Sequence, residues 1–186
     1  MIDHTRASTP QPTGRLILLG HSMGGLVVAR AVAEQLRPVD GLVMSSPALN
    51  TDINWVQKML LATLPHVAPQ LCVDNGLDAR WVARDAQVVQ AYKNDPLVHR
   101  KISAALGAWI VDQGAATLAH AAQWQMPTLL LYAGQDRLVS PEGSAVFAQT
   151  APSHLVTAHC YKAMYHEVFN DPAVDQVFAD LRAWLV

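Results

Sequence analysis

An apolar run, Leu16-Ile17-Leu18-Leu19, passes into Gly20-His21-Ser22-Met23-Gly24-Gly25 and then into the helix-forming run Leu26–Ala33. A buried strand that turns sharply into a helix, with G-x-S-x-G at the corner, is a nucleophile elbow. The turn must hold Ser22 in a strained backbone conformation so that its hydroxyl stands clear of the sheet. Gly20 and Gly24 lack a Cβ, and are expected to let strand and helix approach closely around the corner. The helix beginning here aims its free N–H groups at the serine, where negative charge could develop.

The remaining chain supplies a frame for that corner. Gly41–Ser46 reads as a second short apolar strand, ending in the turn signal Ser46-Pro47. Strand, helix and strand in succession form a βαβ unit and predict a parallel sheet, with binding groups at the carboxyl ends of its strands. From about residue 50 to 125 no convincing strand is visible. Helical stretches broken by Pro65, Pro69, Gly76, Pro96 and Gly114 take its place. The first, Trp55–Leu64, presents Trp55, Met59, Leu60 and Leu64 and is introduced by Asp52 as a cap. A helical insertion between parallel strands sits over their carboxyl ends, so 50–125 is expected to form a cap with an apolar lining suited to an apolar substrate tail. The sheet resumes at Pro127–Gly134, a helix follows over Gly143–Gln149, Leu155–Tyr161 reads as the last strand, and Pro172–Leu185 closes the chain with a helix. One domain of 186 residues results, with core segments 15–49 and 126–186 around the cap.

Composition excludes several classes. The net charge is −2 and the 13 basic residues are scattered, which gives no footprint for nucleic acid. Residues 1–14 are polar and read as a flexible leader without the apolar core of a signal peptide. No apolar run approaches the roughly 20 residues of a membrane span, so no stable membrane insertion is expected. A cytoplasmic location is the expectation. Cys72 and Cys160 have no C-x-x-C spacing and read as small buried hydrophobes. No metal-binding cluster or cofactor motif is present, and no cofactor is expected.

A serine hydroxyl needs a base within hydrogen-bond reach, and a carboxylate to hold that base. Of the eight histidines, His4 lies in the leader, and His66, His99 and His120 lie in the cap. His21 adjoins Ser22, but its side chain is expected to point away from it. His154 and His159 precede or occupy the last strand, which leaves His166 in the loop after it. Among the acids, Asp136 alone directly follows a strong strand. Asp171 and Asp175 read as a helix cap and a solvated first-turn acid. Ser22, Asp136 and His166 follow one of the known chain orders for such a triad.

G-H-S-M-G-G at 20–25, S-S-P-A-L at 45–49, N-D-P-L at 94–97, G-Q-D-R-L-V at 134–139 and Y-H-E-V-F-N-D at 165–171 recur in this order. In combination they resemble the monoacylglycerol lipase and lysophospholipase branch of the α/β-hydrolases, often labelled the serine aminopeptidase S33 family. The resemblance implies an α/β-hydrolase fold: a mostly parallel sheet flanked by helices, with a helical cap insertion. It further implies Ser22 as nucleophile, Asp136 as acid, His166 as base and 50–125 as a lid over an acyl pocket. Carboxylic esters of glycerol or lysophospholipids are the implied substrates. A peptidase, an acyltransferase or a C–C hydrolase on the same fold would keep the same triad.

The family carries further strands before the elbow and a His-Gly loop that supplies a second oxyanion N–H. Only 14 residues precede the elbow strand here, without a His-Gly pair. Met23 N–H is one oxyanion donor, and a second has no candidate. The fold is accordingly expected to be N-terminally incomplete, the chain being the carboxyl-terminal portion of a longer hydrolase and catalytically incomplete or dependent on a partner. Leu16–Leu19 would then form an exposed apolar edge prone to self-association.

Overall fold

The computed structural model describes residues 2–8, 14–51 and 62–186. In chain order its main elements are α1 (Ile2–Ser8), β1 (Ile17–His21), α2 (Met23–Ala33), β2 (Gly41–Ser45), β3 (Cys72–Asp74), α3 (Ala86–Asn94), β4 (Lys101–Ser103), α4 (Ala104–His120), β5 (Thr128–Ala133), α5 (Pro141–Thr150), β6 (Val156–Tyr161) and α6 (Val174–Leu185). Single 3₁₀ turns lie at Ala79–Trp81, Ala121–Gln123 and Val168–Asn170.

The main sheet has the order β1-β2-β5-β6, and every pairing in it is parallel. Its two inner strands are apolar runs because both faces are covered. All five residues of β2 are buried, and so are five of the six in β5. The faces separate by the period-two rule. Leu42, Met44 and Leu130 pack with Leu26 of α2, Trp124 and Phe147 of α5. Val43, Leu129 and Leu131 pack with Met164, Val168 and Val177 of α6. Register pairs Leu19 with Val43 and Val43 with Leu129, so the carboxyl ends of β1, β2 and β5 finish at one level.

β1 is an edge. Among the described residues it pairs only with β2, and Leu19 is 53% exposed. The apolar edge expected at 16–19 is present, with β1 itself spanning Ile17–His21.

Four expectations are corrected. Residues 2–8 are helical, because α1 is held by polar contacts that no apolar pattern reveals: Arg37 pairs with Asp3 at 2.9 Å, and Arg6 donates to the Pro38 carbonyl at 3.0 Å. The insertion is not wholly helical, since β3 and β4 form an antiparallel ladder from Cys72↔Ser103 to Asp74↔Lys101. Strands of three largely exposed residues are too short to carry a period. Both cysteines are exposed, Cys72 on that small ladder and Cys160 on the outer strand β6. Asp171 is buried rather than a simple cap. The expected helix over Trp55–Leu64 and the cap at Asp52 fall mainly outside the described residues, of which 62–67 are helical.

Candidate active site

The site is built where the sheet ends. Ser22 follows β1 directly and has φ 55° and ψ −123°, a left-handed conformation that costs a non-glycine residue of order 1–3 kcal/mol. Backbone bonds hold it there. Ser22 N–H donates to the Ser45 carbonyl at 2.9 Å, while the Ser22 carbonyl accepts from Leu26 N–H at 3.2 Å and Ala48 N–H at 3.1 Å. A Cβ on Gly20 would overlap the backbone carbonyl of Gly24, so Gly20 permits the close turn. Gly24 does not share that role, because a Cβ there would meet nothing within 4 Å. The Met23 N–H, first in α2, has no acceptor within its own helix.

Asp136 and His166 come from the loops that follow β5 and β6. Asp136 follows β5, and its Oδ1 accepts from the N–H groups of Leu138 at 2.9 Å and Val139 at 3.0 Å. Its Oδ2 lies 2.6 Å from His166 Nδ1, and both side chains are almost wholly buried. A carboxylate at Nδ1 places the imidazole proton there and leaves Nε2 as the free, basic nitrogen. The His166 backbone is gripped from both sides. Its N–H lies 3.4 Å from the Trp81 carbonyl, and its carbonyl accepts the Ser46 hydroxyl at 2.8 Å. Ser46 is itself at φ 38°, a second strained serine at the end of a neighbouring strand.

His21 packs its ring against His166 with centroids 4.7 Å apart. Its Nδ1 meets Ser45 Oγ at 3.0 Å. Burial, and secondly the charge His166 can carry, hold its pKa down at about 4. Ring contact with His166 therefore occurs with His21 neutral at ordinary pH. The elbow is thus linked to the Asp136–His166 pair through His21, Ser45 and Ser46. Among the described residues Ser22 and His166 share no direct hydrogen bond. Neither contact, of His21 nor of Ser46 with His166, is marked in the sequence. Alternation along β1 gave no clue to His21, and Ser46 read only as a turn.

A cavity of about 270 Å³ lies between α4 and the segment after β2, lined by Ala48, Leu49, Ile110, Val111, Ala115 and Leu118 among others. It adjoins the elbow through Ala48, whose N–H binds the Ser22 carbonyl. A larger hollow of about 660 Å³, by Val39, Trp124 and Met126, sits at the opposite end of the sheet and takes no part in the site. Among the described residues no group of three or more His, Cys, Asp or Glu side chains could hold a metal.

Residues 1–173 match the family described as serine aminopeptidase, S33. A monoacylglycerol lipase of Mycolicibacterium smegmatis is 36% identical over 184 residues, 97% of this chain and 65% of that protein. Phospholipase YtpA of Bacillus subtilis is 34% identical over 173 residues, 91% of this chain and 67% of that protein. The crystal structure of Paleococcus ferrophilus monoacylglycerol lipase superposes with a TM-score of 0.86 at 31% identity, covering 99% of this chain and 71% of that one. This chain thus spans about two thirds of the length of these curated relatives, 65% and 67%. With its parallel sheet, flanking helices and elbow, the chain belongs to the serine aminopeptidase S33 family of α/β-hydrolases.

Proposed function

We propose that this chain is the catalytic portion of a serine-dependent carboxylic ester hydrolase acting on monoacylglycerol- or lysophospholipid-type esters. The observation that carries this reading is the buried His166–Asp136 pair, 2.6 Å apart, at the same sheet end as the strained Ser22. Ser22 Oγ attacks the ester carbonyl and passes its proton to His166 Nε2. Asp136 keeps the proton on Nδ1 and stabilises the imidazolium. The tetrahedral oxyanion faces the Met23 N–H. Collapse expels the alcohol, which takes the proton from His166, and leaves an acyl-Ser22 ester. Water, deprotonated by His166, then releases the acid and frees Ser22. No step draws on a cofactor.

The names of the relatives and the apolar cavity beside the elbow support a lipid-like ester. A second reading rests on the edge of β1, which pairs with β2 alone among the described residues: the proposed triad needs a further strand, from a partner or a second copy, to hold it.

The deciding experiment is labelling with a fluorophosphonate, with Ser22→Ala alongside. Labelling of the soluble chain that disappears in the variant is the expected result. Soluble, folded protein that takes no label overturns the first reading in favour of the second.

A further inference from the structure

The cap segment that contains Trp81 and Arg84 makes a set of contacts that covering a pocket does not require. Every one of them reaches a loop that bears the acid or the base. The guanidinium of Arg137, next to Asp136, lies over the Trp81 ring, 3.9 Å from its centroid. The ring of Tyr165, next to His166, meets Trp81 with centroids 5.0 Å apart. Trp81 thus touches the immediate neighbours of both members of the pair. Backbone contacts run in parallel: the Trp81 carbonyl faces His166 N–H, and the Val82 carbonyl accepts from Glu167 N–H at 2.8 Å.

Arg84 fixes the far end of the same loop. Its Nε and Nη2 donate to the two oxygens of Asp171 at 2.7 and 2.6 Å, a fork-to-fork geometry that fixes direction as well as distance. The Asp171 carboxylate is 1% exposed and also accepts from Ala173 N–H at 2.9 Å. Arg84, ahead of its other neighbours, holds the Asp171 carboxyl below the usual carboxylate range. The pair spans 87 residues and joins the cap to the loop that carries His166.

We infer that Arg84 and Trp81 are positioning residues for catalysis. The segment clasps the two loops from the cap side, with Arg84–Asp171 as the anchor and Trp81 as the bridge between Arg137 and Tyr165, and so holds His166 at Asp136. This rests on the proposed roles of Asp136 and His166. A surface ion pair would hold little. This one is bidentate with its carboxylate buried, and the loop it ties contains the base five residues away. Small losses of alignment at a catalytic group are costly, about 10²-fold for a displacement of 1 Å.

The test compares wild type, Ser22→Ala, Arg84→Gln, Asp171→Asn and the double variant Arg84→Gln/Asp171→Asn. The readouts are kcat and KM on a short soluble ester, the rate of fluorophosphonate labelling, and the downfield proton resonance of the His166 Nδ1–H. Arg84→Gln is expected to lower kcat and the labelling rate roughly 10–100-fold, with KM held within about twofold, and to broaden or shift the resonance. The double variant should be no worse than the worse single one, because the two side chains act as a unit. Arg84→Lys keeps the charge without the fork and should recover only part of kcat; it carries the same test if Arg84→Gln fails to fold. A folded Arg84 variant with unchanged kcat and resonance, beside a wild type whose labelling depends on Ser22, overturns the clasp and leaves the proposed function standing. Wild type that shows no Ser22-dependent labelling overturns both.

Discussion

At the scale of single residues, the site depends on groups kept in states they would not hold in water. Ser22 and Ser46 are left-handed without being glycine, and each is tied by hydrogen bonds to a neighbouring strand or loop. His21 is kept neutral by burial, with a pKa of about 4 against an ordinary value of 6.5. Between these two values the unfolded chain binds a proton at this position and the folded chain does not. Stability from His21 is therefore complete above about pH 6.5 and is lost as the pH falls toward 4, by an amount of the order of 3 kcal/mol at most. Thermal melts at pH 7 and pH 4 should show wild type losing more of its Tm than His21→Gln. Equal losses would mean that His21 is protonated in the fold.

At the scale of elements, the four strands are not equivalent. β2 and β5 are covered on both faces and paired on both edges, while β1, which among the described residues pairs with β2 alone, exposes Leu19 beside its outer edge. Such an edge is a template for another strand. The chain is expected to self-associate with rising concentration, and Leu19→Lys should shift the sedimentation profile toward the monomer by placing a charge on the edge. A wild type that stays monomeric at high concentration would contradict this. The apolar run Leu16–Leu19 was legible as a strand. The ladder of β3 and β4 was not, because three exposed residues carry no period and that pairing joins positions about 30 residues apart.

At the scale of the whole molecule, sheet and insertion meet around the elbow, and the cavity between α4 and the segment after β2 sits at that junction. Ala115 lines it and is exposed, so a larger side chain there narrows the cavity without disturbing the core. Ala115→Phe should reduce turnover of long-chain esters relative to short ones. Turnover across a graded ester series is the measurement, and an unchanged profile would place the acyl chain elsewhere. Among the described residues no helix is long and apolar enough to cross a membrane.

The order of motifs in the chain determined a great deal by itself. G-x-S-x-G after an apolar strand prescribed the elbow, and the apolar runs at 41–46 and 127–134 prescribed strands, which the structure places as β2 and β5 in the middle of the sheet. Asp136 and His166 were legible as candidates because each follows a strand, and strands in a parallel sheet end on one side. Tertiary structure alone decided which polar groups meet. Asp171 read as a helix cap, yet it pairs with Arg84 across 87 residues. His21 read as a bystander, yet it lies against His166. Trp81 carried no signal, yet it stands between Arg137 and Tyr165. Such contacts join positions far apart in the chain or across a strand end, and neither hydrophobic period nor turn chemistry records them.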